Sequence, residues 1–132
     1  MKLQPEVTDI LLNADGKALA TFSSDTGINV VPVSSIKIEN DQIILVNYFF
    51  RQSLKNIMDN PQVSLAAWKG LEGFQIKATG EHLTEGSQFD EVVKWVAQTL
   101  PDRVVKGIIV LTPTAVFNVS ANSDLAGTAV VT

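Results

Sequence analysis

Between Ile43 and Pro61 the chain reads IILVNYFFRQSLKNIMDNP, and these residue types could hold a ligand that is flat at one end and anionic at the other. An apolar run with strand character ends in Asn47-Tyr48-Phe49-Phe50, and Arg51-Gln52-Ser53 opens a short helix that Asn60-Pro61 stops. A helix start carries unpaired N–H groups and the positive end of the helix dipole, which together suit an anion. Arg51 adds full charge and a two-pronged donor, Ser53 adds a hydroxyl, and the aromatics offer a flat apolar surface beside them. The same residues also suit a plainer arrangement. In that one Ser53 caps the helix by accepting from the Asn56 N–H, and the aromatics are strand-end core.

Other chemistries find little support. Neither G-x-x-x-x-G-K-[ST] nor G-x-G-x-x-G occurs, so no phosphate-cradling glycine loop is present. The single histidine, His82, falls on an alternating strand near a turn and reads as a solvent-facing or hydrogen-bonded strand residue. It has no placeable Ser and Asp partners for a triad, and a zinc site would lack its other ligands. Asp90 and Glu91 are neighbours on a helix and diverge, which makes them a solvated face. Trp68 and Trp95 read as core or interface aromatics. Any redox or group-transfer chemistry would have to come from a cofactor.

The elements that position the Ile43–Pro61 segment follow from patterning. Pro5 to Asn13 has Val7, Ile10 and Leu11 at helical spacing, and Asn13-Ala14-Asp15-Gly16 stops it. Lys17 to Ser23 reads as a strand, Asp25-Thr26-Gly27 as a turn, Ile28 to Ile38 as one long β-branched strand, and Gln42 to Asn47 as a third. Three strands joined by short polar turns predict an antiparallel meander. Pro32 cannot donate to a ladder, so it marks a bulge or a free edge. Val63 to Lys69 and Phe74 to Leu83 are further strands, the second alternating Phe74, Ile76, Ala78 with Gln75, Lys77, Thr79. A helix follows, with capping-box spacing at Ser87 and Asp90 and an apolar stripe of Phe89, Val92, Val93, Val96 and Leu100. Val104 to Leu111 and Ala115 to Val119 read as two last strands, and Ala121 to Thr132 as a tail, small and polar until Val130-Val131. Six or seven strands and three helices without βαβ alternation predict a mainly β fold, an antiparallel barrel with peripheral helices.

At 132 residues the chain is one domain, residues 1–132, long enough for a real core. Only 18% of residues are charged, which suggests that part of the surface is buried against a partner. The net charge is −4 and the ten basic residues form no cluster, so a nucleic-acid footprint is not supported. The absence of cysteine excludes disulfides, thiolate metal sites and a cysteine nucleophile. With no long apolar run and no secretory pattern, the expectation is a cytoplasmic protein that does not enter a membrane. Asn118-Val119-Ser120 matches a glycosylation pattern that means little in that context.

Four pieces in unbroken order resemble the pyridoxamine 5′-phosphate oxidase-like, FMN-binding split-barrel family, in particular its small FMN-binding members. They are LATFSSDTGINVVPVSSIKI, IILVNYFFRQSLKNIMDNPQVSLAAW, GFQIKATGEH with the helix GSQFDEVVKWV, and KGIIVLTPTAVFNVS. The resemblance implies a split barrel, a homodimer, and FMN held at the subunit interface. It places Val30, Val31, Pro32, Val33 and Ser34 along the flavin, and Asn47, Tyr48, Phe49, Phe50, Arg51, Gln52 and Ser53 at its ribityl and phosphate. Gln75, in a piece similar to the family's YQIKG, is implied near the flavin, and Asn118 to Leu125 is a weaker candidate from a partner subunit. Family members commonly carry a lysine where this chain has Gln52, which leaves Arg51 to supply the charge. The function implied is flavin-dependent oxidoreduction, with a nicotinamide or an electron-transfer protein as second partner. The alternatives are a non-enzymatic FMN carrier or store and a flavin-free dimeric scaffold. A related deazaflavin has the same flat ring and phosphate, and the residues do not separate it from FMN.

Overall fold

The computed structural model describes residues 1–130, so Val131, read above as part of an apolar end to the tail, lies outside the described residues. The elements run α1 (Pro5–Asn13), β1 (Gly16–Ser23), β2 (Gly27–Pro32), β3 (Ile36–Glu39), β4 (Gln42–Asn47), α2 (Gln52–Asp59), β5 (Gln62–Lys69), β6 (Glu72–Leu83), α3 (Ser87–Thr99) and β7 (Gly107–Asn118). All strand pairs are antiparallel, in the order β2-β1-β5-β6-β7-β4-β3. This is a mixed fold, a split barrel with three helices around it.

The long strand expected over Ile28 to Ile38 is in fact two, and they lie at opposite edges of the sheet. Val33 to Ser35 is the only chain between them, so the sheet must curl until its edges nearly meet. Two backbone bonds pin this crossing. The Val33 N–H donates to the Lys17 carbonyl (3.0 Å) beside β1, and the Val46 N–H donates to the Ser35 carbonyl (3.2 Å) beside β4. The meander is therefore two separate hairpins, β1–β2 and β3–β4. Asn40 and Asp41 both adopt positive φ, 50° and 59°, as a two-residue hairpin turn of the primed type requires. The two last strands are one, β7, interrupted by a register shift. There Thr114 stands out of the ladder and its hydroxyl donates to the Lys77 carbonyl at 3.1 Å.

Two apolar clusters hold the sheet in this shape. The larger fills the barrel and includes Leu19, Ile43, Leu45, Leu65, Ile76 and Leu111, with Val7, Ile10 and Leu11 of α1 packed on it. Fully burying side chains of this kind contributes about 1.5–3 kcal/mol each before entropy is counted. The smaller cluster lies on the other face of β4 and β7, where α3 packs through Val92 and Val96, with Phe89 and Trp95 partly covered. Val93 and Leu100, expected in the α3 stripe, are exposed. α3 has Gly86 as its N-cap with no side-chain cap bond, so Ser87 and Asp90 do not form the expected box.

Candidate functional site

The split between the β2 edge and the turn from β4 to α2 contains a cavity of about 400 Å³. That is within the range of about 300–1,000 Å³ usual for small-molecule sites. Its β2 wall has an unpaired backbone edge. Because Val33 bonds to Lys17 and residues pair as Ala18↔Pro32 and Ala20↔Val30, the alternation turns the N–H and carbonyl of Val30 and the carbonyl of Pro32 away from β1. Pro32 thus lacks an N–H where the ladder needs none, as its residue type predicted. Asn29, Val31, Pro32 and Ser34 line this side of the cavity.

The opposite wall is the turn after β4. Asn47 is buried, its Oδ1 accepts from the Phe50 N–H (2.8 Å), and its carbonyl accepts from the Lys106 N–H (2.9 Å). It shapes the turn and does not line the cavity. Tyr48, Phe49 and Phe50 do line it, but as separate surfaces. Tyr48 is buried and its hydroxyl donates to Ser35 Oγ at 3.1 Å. Phe49 is 79% exposed, Phe50 packs toward the main core, and the Tyr48 and Phe49 rings are tilted by 51°.

Arg51, Gln52 and Ser53 complete this wall. Arg51 is the N-cap of α2 and no side-chain cap bond is made there, so the plain Ser53 cap is not what forms. Ser53 Oγ accepts from Asn29 Nδ2 at 3.1 Å, leaving its own proton to donate elsewhere. Gln52 spends both amide hydrogens within the fold, on Asn56 Oδ1 (2.8 Å) and Thr26 Oγ1 (3.1 Å).

Arg103 also lines the cavity, and the sequence reading missed it. It reaches the site from the loop between α3 and β7, with its guanidinium 4.9 Å from the Tyr48 ring centroid. Lys106, on the same loop, lies 5.6 Å from the Phe49 ring. Only the pairing of β7 with β4 brings this loop to the turn, and no local signal announces that pairing. No Asp, Glu, His or Cys lines the cavity. Among the described residues the ion pair found is Lys37 with Glu39, so neither arginine has a carboxylate partner.

The remaining expected residues lie elsewhere. Val30 and Val33 line a groove behind β2, with Lys17 and Trp68; burial lowers the Lys17 ammonium pKa from its usual value. Gln75 is half-buried in a lateral row running Pro32, Ala18, Ala66, Gln75, Phe117 across the outer face of the sheet. Asn118, Ser120, Asn122 and Leu125 line a different cavity, against α1. His82, expected to face solvent or to be hydrogen-bonded, has Nε2 buried without a partner, against Gly107, where a Cβ would collide with the imidazole. Burial lowers its pKa.

Comparison with known proteins places this geometry. An uncharacterised protein of Methanocaldococcus jannaschii is 32% identical over 112 residues, covering 80% of this chain and 74% of that protein. The crystal structure of HupZ from Group A Streptococcus superposes with a TM-score of 0.82 at 24% identity, covering 96% of this chain and 98% of that one. An FMN-binding protein from Syntrophomonas wolfei superposes with a TM-score of 0.74 at 18% identity, covering 88% and 84%. The family model for pyridoxamine 5′-phosphate oxidase matches residues 3–120, and the chain belongs to that family of split-barrel proteins.

Proposed function

We propose that this protein binds FMN in the split and uses it for hydride or electron transfer. The observation that carries the reading is the donor set of the 400 Å³ cavity. Two arginines and a serine whose hydroxyl has a proton to give line it, with no carboxylate, beside an unpaired strand edge. Arg51 and Ser53 suit the phosphate. The Pro32 carbonyl, free of the β1 ladder and on the cavity wall, suits a hydrogen-bond donor on the edge of the ring. Bound FMN supplies the redox chemistry, and the chain's own residues bind, orient and shield it. An FMN-binding protein is among the structures of similar fold, which supports the fold without settling the ligand.

A second copy of the chain completes the site in this reading. The outer face of β1, β2 and β5 has small residues at its centre, Ala18, Ala20, Ser64 and Ala66, with the exposed apolar Phe22, Ile28, Val30 and Trp68 around them. That face is continuous with the β2 wall of the cavity, so pairing through it would cover the flavin and bring Gln75 into the interface.

Turnover separates an enzyme from an electron carrier here, because a bound flavin accepts a hydride without a protein acid or base. Purified protein releasing FMN on denaturation is the expected result; failure to bind added FMN would refute the reading. Oxidation of NADH or NADPH above the rate of free FMN would establish the enzyme. Reversible flavin reduction without nicotinamide turnover would establish the carrier.

A further inference from the structure

We propose that Arg103 is the second anion-binding residue of this site and that it, with Arg51, selects a phosphorylated flavin over an unphosphorylated one. This rests on the flavin reading above and assigns a role that the Arg51–Ser53 turn alone does not fill. Gln52 cannot fill it, because both of its amide hydrogens are committed to Asn56 and Thr26. Arg103 reaches the same cavity from a distant loop.

The loop is held where this role needs it. The Lys106 N–H donates to the Asn47 carbonyl at 2.9 Å, tying the loop to the turn, and the Arg103 N–H donates to the Leu100 carbonyl at 3.0 Å. Tyr48, itself anchored to Ser35, lies 4.9 Å from the guanidinium and limits where it can swing. Arg51 and Arg103 both line the cavity, both are exposed to what enters it, and among the described residues neither has a carboxylate partner. A phosphate monoester, with nearly two negative charges and several acceptor oxygens, supplies the missing anion and has enough acceptors for both forks.

Titrating FMN and riboflavin separately into wild type, Arg103→Ala and Arg103→Lys at fixed salt tests this. Losing one charge-assisted bond should weaken FMN about ten- to a hundred-fold in Arg103→Ala, leaving riboflavin unchanged. Arg103→Lys should recover part of the loss, since it keeps the charge and loses the fork. Retention of the full FMN preference by Arg103→Ala would overturn the assignment and leave the flavin reading standing. Equal losses for both flavins, with no recovery in Arg103→Lys, would make Arg103 a prop for Tyr48 and overturn its phosphate role. Wild type binding neither flavin would overturn the flavin reading and this assignment together.

Discussion

At the scale of single residues, the chemistry of this chain depends on which side chains have donors left over. Gln52 and Ser53 are adjacent and both look available in the sequence, yet only Ser53 keeps a free proton once the fold has used them. His82 makes the opposite point, since its imidazole is partly covered and its Nε2 has no hydrogen-bond partner. Gly107 makes room for it, and burial lowers its pKa from the ordinary 6.5. The sign of the resulting pH dependence follows from proton uptake. Above about pH 6.5 the imidazole is neutral whether folded or unfolded and contributes no slope. As pH falls through that value toward the lower folded pKa, the unfolded chain takes up a proton that the folded one resists, so stability is lost. Urea unfolding from pH 7.5 to 5 should therefore show a loss for wild type that is smaller in His82→Gln. Identical profiles would mean that His82 does not feel its burial. The sequence placed His82 on a strand correctly; its missing partner depends on Gly107, which belongs to a different strand.

At the scale of elements, α2 is held to the β1–β2 hairpin by polar contacts rather than by a broad apolar face. Asn56 is fully buried, its Nδ2 donates to Thr21 Oγ1 at 3.0 Å, and its Oδ1 accepts from Thr26 and Gln52. Asn29 bonds Ser53, and the Ser23 hydroxyl donates to Asp59 at 2.9 Å. The network fixes the start of α2 against the β2 edge, which are the two walls of the cavity. Asn56→Ala should cost about 1–3 kcal/mol by denaturant unfolding, because it strands buried partners. It should also weaken FMN without direct contact, through movement of Arg51 and Ser53. A variant of unchanged stability would show the network to be dispensable. Little of this was legible beforehand, because every bond except Gln52–Asn56 joins residues far apart in the chain. What was legible is local. Gln42–Asn47 is legible to the residue because the polar Glu39-Asn40-Asp41 precedes its apolar run and Asn47 ends it, whereas the break at Val33–Ser35 comes from the closure of the whole sheet.

At the scale of the molecule, the sheet has one face around the core and another that α3 covers mainly over β4 and β7. The remaining outer face has the lateral row Pro32, Ala18, Ala66, Gln75, Phe117, whose small central residues leave the backbone of β1 and β5 open to close approach. A charged content of 18% is the composition expected if this face meets a second copy. An antiparallel barrel was readable from strand count and the absence of βαβ alternation, and its split form from the family resemblance, but the face left bare was not, since that depends on where α3 docks. Ala66→Arg would put a long cation at the centre of the row, at an outward position that the core does not need. On the proposed pairing, sedimentation velocity should show a dimer for wild type and a monomer for the variant, with far-ultraviolet circular dichroism unchanged. FMN affinity should fall in step if the second copy covers the cavity's β2 wall as proposed. A variant that remains dimeric would exclude this surface as the interface. One that becomes monomeric with full FMN affinity would show that each chain holds its ligand alone.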